Sequence, residues 1–143
     1  MNALAAFSQV VKDATSQLGE SDFTQVLSNG IRELIEADDT SLIRYLDAGP
    51  PVIEYTLPTK RRGKTILDRY VKGPFLLDPF YRAAEIEGRF GVFRLSTLAP
   101  SGFKESEYFR TWYHECRFQD ECGLLIKLNN GCINLALGMT DGS

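Results

Sequence analysis

The chain has 143 residues, 43% hydrophobic and 24% charged, with 12 Gly and 6 Pro. That is the size and composition of one globular domain with a core of its own, and it excludes disordered, collagen-like and coiled-coil chains. The net charge of −3 lacks the basic excess by which a domain grips a phosphate backbone, so nucleic-acid binding by the chain itself is not expected.

Residues 2–18 are predicted to form a helix. Leu4, Phe7, Val10, Val11 and Leu18 fall close to one helical stripe, and Gly19 can close it. Ser21 is the expected N-cap of a second helix, with Asp22 favourable in its first turn. Phe23, Val26, Leu27, Ile31, Leu34 and Ile35 then recur at spacings of three and four, which carries that helix to Ala37. The period changes after Asp39. Residues 40–47 and 52–57 read as strands joined by the turn Ala48-Gly49-Pro50-Pro51. Residues 58–64 form a loop holding Lys60, Arg61, Arg62 and Lys64, the densest basic run in the chain. A solvated loop or a contact with an anion accounts for it.

Residues 66–71 read as a short helix ended by Gly73-Pro74, and Pro79 starts another as far as Glu87. Residues 91–98 read as a strand. Pro100-Ser101 opens a helix that runs to Arg117. Residues 124–128 form a strand, Asn129-Asn130-Gly131 a hairpin turn, and residues 133–139 the last strand. The order predicts one α+β domain over residues 1–143. The N-terminal helices occupy 1–38, and a sheet of about five mostly antiparallel strands with connecting helices occupies 39–143. The helices are expected on one face of that sheet. The long connection over 58–90 is the expected place of a binding site.

There is no signal-peptide pattern and no apolar run long enough to span a membrane, so a cytoplasmic location is expected. Cys116, Cys122 and Cys132 are odd in number and irregular in spacing, which argues for core thiols and against a disulfide framework. His114 and Cys116 would point about 200° apart on a helix and cannot chelate one ion together. No metal site is expected. The sequence holds no nucleophile-elbow, zinc-protease, Walker or dinucleotide fingerprint. It reads as no enzyme, and as needing no cofactor.

The chemistry that remains is aromatic. Most of the nine Phe, six Tyr and one Trp lie between Tyr70 and Tyr113. Such a cluster is either core or the lining of a pocket for an apolar or planar ligand. Asp78 sits among Leu76, Leu77, Pro79 and Phe80. As the residue before a proline it suits a helix N-cap, and as a carboxylate in apolar surroundings it suits a ligand N–H. Arg94 lies in a strand, on the face opposite Phe93 and Leu95, where it meets either solvent or a cavity. The candidate ligand-binding residues are Tyr70, Phe75, Asp78, Tyr81, Arg94, Trp112 and Tyr113.

The run Gly73-Pro74-Phe75-Leu76-Leu77-Asp78-Pro79-Phe80-Tyr81 resembles the sensory half of bacterial LuxR-type helix-turn-helix regulators of the GAF-like group. Arg94-Leu95, Ala99-Pro100, Ser106-Glu107-Tyr108, Trp112-Tyr113, Asp120-Glu121 and Asn130-Gly131 continue the likeness. The resemblance implies a GAF/PAS-like domain, with a pocket between a central antiparallel sheet and its connecting helices. It implies a small-molecule ligand, and DNA met only through a C-terminal helix-turn-helix not present in this chain, which is then either an excised sensor domain or a stand-alone one. Tyr70 with Asp78-Pro79 is also similar to the lactone-amide site of acyl-homoserine-lactone receptors, although Ile66 stands where that pattern has Trp and the Tyr-to-Asp spacing is one residue shorter. The expected function is ligand sensing in transcription regulation. The alternative is a protein-interaction module, with the two N-terminal helices forming a self-complementary interface. A homodimer is the expected assembly in either case.

Overall fold

The computed structural model describes residues 2–57 and 64–140. Five strands, β1 (Asp39–Leu46), β2 (Val52–Thr56), β3 (Gly91–Arg94), β4 (Phe118–Leu128) and β5 (Gly131–Thr140), form one sheet of order β2-β1-β5-β4-β3. Each neighbouring pair is antiparallel. The β1–β2 and β4–β5 hairpins are joined by the pairing of β1 with β5, and β3 adds to the free edge of β4. The expected α+β class is therefore observed. The β4–β5 hairpin turns at Asn129-Asn130, and Gly131 comes next with φ +149°. A Cβ there would stand 2.0 Å from the Tyr45 carbonyl oxygen, so only glycine fits.

Side chains alternate along each strand. Ile43 and Tyr45 on β1, Cys132 on β5 and Leu125 on β4 enter one core. Leu42, Leu135 and Leu137 enter the other. Both faces of the sheet thus carry apolar residues, and both are covered. This corrects the expectation of helices on one face. A half-solvated sheet needs one polar face, and the strands Leu42-Ile43 and Leu135-Ala136-Leu137 do not supply one.

Helix α1 (Ala3–Thr15) and helix α2 (Phe23–Leu34) lie on the second face. Leu27 and Ile31 of α2 pack against Leu42, Leu135 and Leu137. α1 packs on α2, where Val10 comes so close to Gly30 that a Cβ would be 2.8 Å from a Val10 methyl. Asn2 caps α1 by accepting the Ala5 N–H at 2.8 Å. The helix stops at Thr15, short of the expected 18. Thr15 and Ser16 hydroxyls turn back to the Lys12 and Asp13 carbonyls and compete with further helix. Asp22, not Ser21, is the N-cap of α2. α2 ends before Ala37, because Glu36 takes a left-handed φ of +57° to turn the chain into β1.

The first face is roofed by short helical pieces. They are α3 (Lys64–Tyr70), a 3₁₀ turn (Pro74–Leu77), α4 (Pro79–Tyr81) running into a π-helical turn (Arg82–Ile86), α5 (Leu95–Leu98), a 3₁₀ turn (Phe103–Glu105), and a π-helical turn (Phe109–Tyr113) running into α6 (His114–Cys116). The strand expected over 91–98 ends at Arg94, and α5 takes its second half. The helix expected from Pro100 to Arg117 is broken. Gly102 is left-handed at φ +77°. Ser106 then restarts the helix, its hydroxyl accepting the Phe109 N–H at 3.1 Å. Arg117, at φ +57°, ends α6 and reverses the chain into β4. β4 begins at Phe118, earlier than expected, because the polar pair Asp120-Glu121 hides a strand that still ladders with Met139 and Gly138. The basic run Lys60-Arg61-Arg62 lies outside the described residues. No helix among the described residues is long and apolar enough to cross a membrane.

Gly131→Ala is expected to destabilise the fold by about 3 kcal/mol or more, since it combines a disallowed φ with a clash against backbone. The urea midpoint measures it. A loss below about 1 kcal/mol would show that the hairpin relaxes and that β5 does not depend on this turn.

Candidate functional site

Asp78 is the residue before Pro79 and caps α4, its Oδ1 accepting the Phe80 N–H at 2.9 Å. That cap turns the carboxylate inward, where it is 6% exposed. The Tyr70 hydroxyl, at the end of α3, donates to Asp78 Oδ2 at 2.5 Å. The Tyr45 hydroxyl, from β1, lies 2.7 Å from the Tyr70 hydroxyl and 3.3 Å from Asp78 Oδ2. The Asn134 amide N–H of β5 reaches the Tyr45 hydroxyl at 3.4 Å. Since Tyr70 gives its one proton to Asp78, the single Tyr45 proton is divided between the Tyr70 oxygen at 2.7 Å and Asp78 Oδ2 at 3.3 Å. Both tyrosine hydroxyls thus point their protons toward the carboxylate, and Asn134 donates to Tyr45 behind them.

Burial raises the Asp78 carboxyl above its ordinary value of 3.8, and the bonds from Tyr70, the Phe80 N–H and Tyr45 hold part of that rise back. Burial, and then the Asp78 charge, push Tyr45, Tyr70 and Tyr108 well above 10.0. For Tyr113 burial comes first and Glu121 second. These hydroxyls therefore remain protonated donors throughout the physiological range.

Beside this network lies a cavity of about 60 Å³. Its floor is the sheet: Ser41 and Ile43 of β1, Asn134, Ala136 and Gly138 of β5, and Glu121 of β4. The small residues Ser41 and Ala136, paired across the strands, leave the space, while the Phe118 ring packs over Gly138. Its roof is Ile66, Leu67 and Tyr70 of α3, with Tyr108, Trp112 and Tyr113 of the broken helix. The Tyr113 hydroxyl donates to the Glu121 carboxylate. Tyr70 meets Trp112 edge to face at 6.1 Å.

Of the sequence candidates, Tyr70, Asp78, Trp112 and Tyr113 are brought together around this cavity. Phe75 and Tyr81 stand one layer behind it. Phe75 packs edge-on against Tyr70 at 6.4 Å and Tyr81 at 5.1 Å, and Tyr81 packs against Tyr45 at 5.2 Å. Arg94 is elsewhere. Its side chain is 70% exposed on the edge strand, and it pairs with Asp120 at 2.7 Å. Both readings of Asp78 hold at once, since one carboxylate oxygen caps the helix while the other gathers the tyrosines. Sequence reasoning missed Tyr45, Tyr108, Glu121 and Asn134. For Asn134 a signal existed: a lone amide in Ile133-Asn134-Leu135-Ala136-Leu137 alternates onto the face opposite the leucines.

The fold is similar to that in the crystal structure of the VqsR LBD domain from Pseudomonas aeruginosa. The TM-score is 0.78 at 22% sequence identity, over 94% of this chain and 80% of that one. At this identity the likeness is one of fold. No protein-family model matches the sequence, and no curated protein does.

The raised Asp78 value fixes a sign. Between 3.8 and the folded value, the folded chain holds a proton on Asp78 that the unfolded chain has released. The stability this group contributes is full below 3.8 and is lost as pH rises through the folded value. Wild type is therefore expected to lose stability relative to Asp78→Asn as pH is raised from 3.8 upward. Urea unfolding at stepped pH measures the difference, and a difference that grows in favour of wild type reverses the assignment.

Proposed function

We propose that this chain is the ligand-sensing domain of a LuxR-type helix-turn-helix transcriptional regulator, acting in the cytoplasm. One observation carries the reading: a buried carboxylate–tyrosine network beside an aromatic-walled cavity, between an antiparallel sheet and its connecting helices. That is the place and the chemistry which the resemblance of residues 70–137 implies. The similarity of fold to a protein described as an LBD domain supports it independently. The same arrangement of sheet, roof and cavity supports the GAF/PAS-like assignment.

In this reading the domain is a receptor and no enzyme. The rings supply apolar area, and Asp78, Tyr70 and Tyr113 orient the polar atoms of a small molecule. The cavity of about 60 Å³ is far below the roughly 300 Å³ at which ligand pockets begin. Binding therefore requires the roof to move. That movement is the signal, because a ligand shifts a two-state equilibrium only by favouring one arrangement over the other. The readout belongs to a helix-turn-helix module attached to the domain.

A thermal-shift screen with a broad metabolite panel tests the reading. A true ligand at about 100 times its Kd adds about 2.7 kcal/mol and raises Tm by several degrees. If no member of the panel moves Tm, the ligand-sensing reading falls.

One further observation favours a dimer. Leu4, Phe7 and Val11 lie on one side of α1 and are 74%, 50% and 42% exposed. Helices α1 and α2 pairing with their copies would bury that stripe about a two-fold axis. The double variant Leu4→Glu with Phe7→Glu is expected to sediment as a monomer where wild type sediments as a dimer, with the far-ultraviolet circular dichroism unchanged. A wild-type chain that stays monomeric at high concentration removes the dimer and leaves the ligand reading intact.

A further inference from the structure

We infer that the molecule held in this cavity carries a carbonyl oxygen on a planar apolar body, and that the Tyr108 hydroxyl donates a hydrogen bond to it. The inference rests on the reading of the cavity as a ligand site. It adds to that site a specificity-determining residue and the chemistry which that residue selects.

The hydroxyls of the lining do not stand alike. Thr40 donates to the Ala136 carbonyl at 2.9 Å, Ser41 meets Thr56 at 3.0 Å, Tyr70 donates to Asp78, and Tyr113 donates to Glu121. Tyr108 lines the same cavity and is only 9% exposed, yet its hydroxyl has no hydrogen-bond partner among the described residues. Buried hydroxyls are normally bonded. A ligand that bonds Tyr70 or Tyr113 must first break a bond inside the protein, whereas one that bonds Tyr108 breaks none.

The Tyr108 hydroxyl is also held in place. Its ring packs against Phe103 at 6.1 Å, Trp112 at 6.3 Å and Tyr113 at 6.3 Å. Burial, and then the Asp78 and Glu121 charges, raise the phenol well above 10.0. Those two carboxylates belong to the lining, so the hydroxyl lies on the cavity side of its ring, and it meets a ligand as a protonated donor. A group fixed before the ligand arrives loses little freedom on binding.

The sign of the bond follows from what the lining leaves unfilled. Its central acceptor is occupied: one Asp78 oxygen takes the Phe80 N–H, and the other takes Tyr70 and Tyr45. The unpartnered Asn134 Oδ1 lies against Gly123 and Phe80, neither of which lines the cavity. The unfilled groups are donors. Four residues after Tyr108, the half-buried Trp112 lines the cavity with an indole N–H that can only donate, and it too has no hydrogen-bond partner among the described residues. Buried donors without an acceptor are rarer than bare lone pairs, so what this wall lacks is an acceptor.

Three probes of one skeleton test this on the full chain by calorimetry and thermal shift: acetophenone, 2-phenylpropene, which has the same shape and no polar atom, and 1-phenylethylammonium, which only donates. Acetophenone is expected to bind wild type at least about tenfold more tightly than the ammonium. Tyr108→Phe is expected to weaken acetophenone about tenfold, the loss of one buried hydrogen bond, and to leave 2-phenylpropene within about twofold. A second readout needs no ligand. Since the Tyr108 hydroxyl bonds nothing in the protein, Tyr108→Phe is expected to keep or raise the urea midpoint, while Tyr70→Phe, which deprives Asp78 of a donor, lowers it. A hydroxyl with a merely structural role would lower the midpoint and leave the ratio of the two neutral probes unchanged. Acetophenone held by Tyr108→Phe as tightly as by wild type, a lowered midpoint for that variant, or an ammonium that binds as tightly as the ketone overturns the proposal and leaves the sensory reading standing. Absence of binding by all three probes overturns it too, and the metabolite screen then decides separately whether the cavity takes any ligand.

Discussion

Everything around the cavity depends on the placement of one carboxylate. Asp78 ties together four elements: it starts α4 through the Phe80 N–H, holds the end of α3 through Tyr70, and reaches β1 through Tyr45 and, by way of Tyr45, β5 through Asn134. Withdrawing a carboxylate from water costs several kcal/mol unless hydrogen bonds replace the water. Here the replacement is made by groups from both layers, so the bonds that relieve the burial also fix the roof over the floor. The adjacent proline assists this. It has no N–H of its own, its φ suits a helix start, and it leaves the Asp78 carboxylate free to cap Phe80 and to face inward.

The aromatic residues complete that placement from behind. Phe75, Tyr81 and Tyr45 meet edge to face in turn, and Tyr70 stands on Phe75. Contacts of this kind contribute about 0.5–1.5 kcal/mol each beyond the area they bury, and they fix ring orientation. The Tyr45 and Tyr70 hydroxyls are therefore aimed by packing as well as by the carboxylate. A second cluster of Phe103, Phe109 and Tyr113 does the same for the other end of the cavity, with Tyr113 delivered to Glu121.

The range of each interaction decides how legible it was in the sequence. The two hairpins were readable because turn chemistry and alternation are local, and they already imply the sheet. Tyr70 and Asp78 were readable because they lie eight residues apart in a run with a recognisable pattern. Tyr45 and Asn134 were not: Tyr45 is 33 positions from Asp78, and Asn134 is 89 positions from Tyr45. Alternation says which residues share a face, but not which face the pocket takes. That is why Arg94 was a fair candidate, and why it lies on the exposed side of an edge strand. The broken helix over 103–116 was hidden for another reason. Its aromatic spacing is compatible with an unbroken helix, and the break comes from a left-handed Gly102 and the hydroxyl of Ser106, neither of which alters the hydrophobic period.

The two walls of the cavity are unequal. The floor belongs to β1, β5 and β4, three adjacent strands of one sheet. β5 is paired on both sides, to β1 and to β4, over nearly all its length. The same strands seat α2 through Leu42, Leu135 and Leu137 on their reverse side. Moving the floor would break ladder hydrogen bonds and the second core together. The roof is made of α3 and of a helix that already departs from α geometry at Phe109–Tyr113. A π-helical turn closes i→i+5 bonds and so holds one residue more than an α turn, and returning it to α would shift the register of the residues downstream by one position. Trp112 and Tyr113 lie inside that turn and line the cavity. In the proposed reading, the cavity therefore enlarges at the roof. A displacement of that turn would pass through α6 and the reversal at Arg117 into β4, the strand that also holds Glu121 on the floor.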